Sequence, residues 1–100
     1  MKTLGILITS DRYPQYIGPM VRAAHAKGLA VHMHLTGPGV RLIKSIDLDT
    51  LTELARITIC RYSTDVHQVT DRLRKRYEQM MTRTEEMMRL IDNCDRHVVL

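Results

Sequence analysis

The sequence predicts an α/β fold: a three-layer sandwich on a mainly parallel sheet of four strands, or five if one more short strand joins. Three observations lead there. Short apolar runs alternate with longer stretches of helical periodicity, in the order strand, helix, strand, helix, strand, helix, strand. The first run is apolar at almost every position, which marks a central strand covered on both faces. Turn-forming residues punctuate the runs where right-handed crossovers would begin and end.

Lys2-Thr3-Leu4-Gly5-Ile6-Leu7-Ile8-Thr9 is the first strand and stops at Ser10-Asp11. A helix follows from Pro14, whose missing amide costs nothing in a first turn, to Lys27-Gly28; Tyr16, Ile17, Met20, Val21, Ala24 and Ala26 form its mostly apolar stripe. Leu29 to Leu35 is the second strand, with Val31, Met33 and Leu35 on one face and Ala30, His32 and His34 on the other. Thr36-Gly37-Pro38-Gly39-Val40 breaks it. A helical turn over Val40 to Ile43 and a helix capped by Asp47 or Asp49 then lead to the third strand, Arg56 to Cys60. Ser63-Thr64-Asp65 reads as a helix start. One long helix is expected from Thr70 to Asn93, on a stripe of Leu73, Tyr77, Met80, Met81, Thr84, Met87, Met88 and Ile91. Arg96 to Leu100 closes the chain as a strand. No linker, repeat or low-complexity segment interrupts the 100 residues, so a single domain spans 1–100.

Composition removes several function classes. With 44% hydrophobic and 26% charged residues the chain is an ordinary globular one, and no apolar run reaches membrane-spanning length. Met1 to Ile8 lacks the basic start and cleavage site of a signal peptide, so neither export nor a membrane is expected. Two cysteines are too few for a disulfide framework, which points to a reducing cytoplasm. The net charge of +4 is concentrated between Arg72 and Arg76 without aromatic stacking partners, the pattern of a solvated helix face rather than a nucleic-acid interface. There is no Phe or Trp, so the seven methionines fill volume.

Cys60 is the candidate reactive group. In an open parallel sheet, ligands and chemistry collect outside the carboxyl ends of the strands, where Cys60 ends the third. A thiol beside the positive end of the next helix favours the thiolate, the nucleophilic form. Arg61 and Ser63 are placed to hold an anion on that sulfur, and His67, one to two turns on, to exchange its proton. Gly37 and Gly39 shape the rim; they lack the spacing and the Lys-Ser/Thr pair of a phosphate loop. The competing reading of Cys60 is a buried cysteine acting as a small hydrophobe. His32 and His34 have a spacing able to bind a metal, but no third ligand is fixed, and histidines under a helix or at a subunit contact answer the pattern as well.

Thr9-Ser10-Asp11 after the first strand, Thr36-Gly37-Pro38-Gly39-Val40 after the second, Leu51-Thr52-Glu53-Leu54-Ala55 leading into Ile57-Thr58-Ile59-Cys60, and the ending Cys94-Asp95-Arg96-His97-Val98-Val99-Leu100 together resemble the DsrE/DsrF-like family of small sulfur-relay proteins. The resemblance covers almost the whole chain and implies a DsrE-like fold assembled as a trimer or hexamer. It also implies that Cys60 accepts sulfane sulfur as a persulfide and hands it on, exchanging with donor and acceptor proteins without a cofactor. Members usually carry a Gly-containing loop, and often another short strand, between the cysteine and the final strand, where this sequence reads as a charged, Met-rich helix. Cys94 lies before the last strand, at the opposite end of the sheet from Cys60, and takes no catalytic role. Two alternatives stand beside sulfur relay: a non-catalytic oligomeric scaffold of the same fold, and a small-ligand or metal binder using His32 and His34.

Overall fold

The computed structural model describes residues 2–70, 77–83 and 85–100. It is a five-stranded, all-parallel sheet with helices on both faces. The elements run β1 (Thr3–Ile8), α1 (Pro14–Ala26), β2 (Ala30–Leu35), a 3₁₀ stretch (Gly37–Lys44), α2 (Leu48–Leu51), β3 (Arg56–Cys60), α3 (Arg61–Val66), a 3₁₀ turn (Glu78–Met80), β4 (Met81–Thr82), α4 (Glu86–Asn93) and β5 (Arg96–Val99). Spatial order is β4-β3-β2-β1-β5.

That order explains the layers. Each step from β1 to β4 moves toward the same edge, so right-handed crossovers put their connections on one face. The step from β4 to β5 returns across the whole sheet, and α4 therefore covers the other face. On the first face Ile6, Ile8, Val31, Met33, Leu35, Ile57 and Ile59 pack against Ile17, Val21 and Ala24 of α1, Leu48 and Leu51 of α2, and Val40 and Leu42 of the 3₁₀ stretch. Strand alternation sends Gly5, Leu7, His32, His34, Thr58 and Cys60 to the second face. The register sets them in rows, Gly5 beside His32 beside Arg56, and Leu7 beside His34 beside Thr58.

Local chemistry fixes the boundaries. α1 opens on Pro14 and closes where Gly28 takes φ +77°, a left-handed conformation that glycine adopts without a Cβ clash. Asp47 caps α2 by accepting from the Thr50 amide at 3.2 Å. Gly39 sits against β1 so closely that a β-carbon there would lie 2.3 Å from the Ile8 carbonyl oxygen.

The carboxyl half departs from the sequence reading. The expected helix from Thr70 to Asn93 is interrupted: Met81–Thr82 pairs with Ile59–Cys60 as the fifth strand, and only Glu86–Asn93 is helical beyond it. A short edge pairing to β3 wins over methionine periodicity there and supplies the additional short strand that the sequence left open. α4 also turns a different face inward. Glu86 and Leu90 are its buried residues, whereas Met88 and Ile91 of the expected stripe are exposed. The face it meets is polar, so a helix carrying a carboxylate fits it. Leu73 and the basic set Arg72, Arg74, Lys75 and Arg76 lie outside the described residues, as does Thr84. Among the described residues no helix is long and apolar enough to cross a membrane.

Candidate functional site

Cys60 ends β3 and occupies the N-cap position of α3. The helix begins at Arg61, two residues before the Ser63-Thr64-Asp65 start read from the sequence, because Ser63 and Thr64 are spent inward rather than as caps. Ser63 is buried, and its hydroxyl oxygen accepts from the Gly37 amide at 2.8 Å and lies 3.3 Å from the Thr36 hydroxyl. Gly37, at φ +56°, is turned so that its amide reaches that oxygen. Ser63 and Gly37 are thus brought together as a fastener between the turn after β2 and the helix after β3.

The thiol itself is enclosed, with Cys60 only 1% exposed. Its register partner on β4 is Thr82. Thr82 lines a surface cleft of about 560 Å³ whose other walls are Arg61, Tyr62, Asp65, Met81, Arg83 and Glu85. Arg61 and Arg83 join no ion pair among the described residues. Arg61 is exposed at the cleft, whereas Cys60 is not among its lining residues and stands beside Thr82 in the sheet. His67 ends α3, its amide donating to the Ser63 carbonyl at 2.9 Å, and among the described residues no hydrogen bond joins its ring to Cys60. Gly39 is held against Ile8 and belongs to the packing of the turn. Cys94 packs over Gly5, where a β-carbon would lie 3.0 Å from its sulfur, at the amino end of the sheet; burial, reinforced by Asp95, pushes its thiol pKa up.

A second constellation, only partly foreseen, occupies the face under α4. His34 Nδ1 lies 2.7 Å and His32 Nε2 3.1 Å from the same Thr58 hydroxyl oxygen. Glu86, 6% exposed, places its carboxylate 3.8 Å from His32 Nε2, 3.4 Å from an Arg56 nitrogen and 3.8 Å from Arg89. His34 is fully buried, and among the described residues its Nε2 has no hydrogen-bond partner. Burial, assisted by the neighbouring His32, holds the His34 pKa down to about 4, with Glu86 acting the other way. Burial and then Arg56 lower that of His32. One nitrogen of each ring converges on the Thr58 hydroxyl, and among the described residues no three His, Cys, Asp or Glu side chains cluster as ligands. The histidine pair was visible as an alternation in β2. Thr58 stands at the matching alternate position of β3, but its pairing with them depends on register, and Glu86 comes from the far end of the chain.

No protein-family model matches the chain, and no curated protein matches it.

Proposed function

We propose that this chain is a cytoplasmic sulfur carrier of the DsrE/DsrF-like kind, loading sulfane sulfur on Cys60 as a persulfide. The Cys60 thiolate attacks the outer sulfur of a donor persulfide. A bond forms between Sγ and that sulfur, the donor's own S–S bond breaks, and the donor leaves as a thiolate with no net oxidation. A thiolate of the acceptor protein repeats the exchange. The observation that carries this reading is the place of Cys60: the carboxyl end of a parallel strand, backed onto Thr82 of a cleft that offers Arg61 and Arg83 to an anionic sulfur group. Burial makes loading a gated step, since the wall of the cleft has to move before a donor reaches the sulfur. Self-association as a trimer or hexamer belongs to the same proposal, with exposed apolar residues such as Tyr62 and Val66 beside the cleft as contacts.

The enclosure of Cys60 also favours a second reading, an oligomeric scaffold in which the cysteine is packing and the surface does the work. One experiment separates them. Intact-mass spectrometry after incubation with a low-molecular-weight persulfide is expected to show one added sulfur on the wild type and none on Cys60→Ser, with native spectra of the same samples reading the assembly. An oligomer that gains no sulfur, or gains it equally in the Cys60→Ser variant, supports the scaffold and removes the carrier.

A further inference from the structure

The two faces of the sheet are held by different chemistry. One carries the aliphatic core; the other carries a polar row covered by the eight-residue α4. Leu90 is buried over Gly5, Glu86 reaches Arg56 and His32, and Met88 and Ile91 stay exposed.

Protons decide whether this arrangement is satisfied. With both rings neutral, one histidine donates to the Thr58 oxygen while the Thr58 hydroxyl donates to the other, so each contact has one proton and both are satisfied. A proton added to His34 leaves a buried positive ring with an N–H on Nε2 that meets no acceptor among the described residues. The groups facing it do not compensate. From β3 come the Arg56 cation, the Thr58 hydroxyl and the enclosed Cys60; from β2, His32; from β1, only Gly5 and Leu7. From the α4 side, Glu86 is already shared between Arg56 and Arg89, Cys94 packs on Gly5, and on β5 His97 Nε2 is bonded to the Ile91 carbonyl. Lifting α4 lets water reach the ring and leaves the aliphatic layer untouched, so it is the smallest opening that relieves the charge.

We propose that α4 is a proton-operated latch: uptake of protons by His32 and His34 in mild acid releases it from the sheet while the α1 side stays folded. The depressed histidine pKa values agree in sign, since rings that prefer to be neutral when covered take up protons more readily once uncovered. The latch stands whether or not Cys60 carries sulfur.

Hydrogen exchange read by mass spectrometry on the full chain tests it, comparing amides of α4 with those of β1 from pH 7.5 to pH 5 after correction for intrinsic exchange. If the open ring of His34 titrates at 6.5 and the covered ring at about 4, α4 loses about thirtyfold in protection by pH 5 from this residue alone, while β1 holds. The double variant His32→Gln/His34→Asn keeps a polar atom opposite Thr58 at each site and cannot take up the protons, so its α4 exchange is expected to be flat with pH. The single variant His34→Asn, expected to lose the thirtyfold component, serves if the double variant does not fold. Protection lost equally from α4 and β1, no change in α4, or a pH response that survives the substitutions would overturn the proposal.

Discussion

Gly39 and Thr58 show how much rests on single atoms here. A β-carbon at Gly39 meets backbone, the Ile8 carbonyl, and backbone in a central strand has little room to give. Gly39→Ala is therefore expected to destabilise by about 3 kcal/mol, read as a lower urea midpoint with unchanged slope. At Thr58 the change that matters is chemical, not steric. Thr58→Val keeps the shape but leaves His34 Nδ1 and His32 Nε2 facing a methyl group, at a cost of roughly 2 to 3 kcal/mol. Thr52→Val, at an exposed hydroxyl, is expected to cost less than about 1 kcal/mol in the same urea titration. The sequence separates these two threonines by element, strand against helix; that Thr58 meets both histidines is set by burial and register.

Among the elements, those with strong local signals were legible and those made by distant partners were not. β3 was readable to the residue because Arg56 to Cys60 is a compact apolar run between a helix end and polar residues. α1 announced itself by Pro14 and Gly28. β4 had no such signal: two residues, Met81–Thr82, carry no periodicity, and only the exposed edge of β3 makes them a strand. The methionines around them sit at helical spacing, so the pattern favoured a helix that the edge pairing overrode. The same cause hid part of the site. Cys60 was placed correctly at a strand end, but its burial was not legible, and its register partner Thr82 belongs to the strand that the pattern concealed. Glu86 was unreadable as a buried residue because the methionine stripe pointed to a different helix face. Ser63, expected at the sulfur, is held instead by the Gly37 amide, a contact between segments twenty-six positions apart.

Taken whole, the molecule is lopsided, with nearly all its aliphatic packing on the α1 side of the sheet and its titratable interior on the other. This predicts how stability changes with pH. His34 is held at about 4 when folded and at its ordinary 6.5 when unfolded. The unfolded chain therefore binds the proton first as pH falls, so stability is full above pH 6.5 and is lost from there down to about 4. The loss is of order 3 kcal/mol from His34. Urea unfolding at pH 7 and pH 4.5, for the wild type and His34→Asn, isolates it from the carboxylates, with the variant expected to lose less.

β5 lies against β1, and the Asp95 carboxylate accepts from the Thr3 amide across 92 positions of sequence. On the ribosome, β1 is made before the other strands of this sheet and receives its last neighbour only after all of them have been made. Until then one side of the earliest strand offers bare peptide groups to any passing chain. The interval between making β1 and closing the sheet is when a nascent molecule is most open to mispairing, and slow translation would lengthen it.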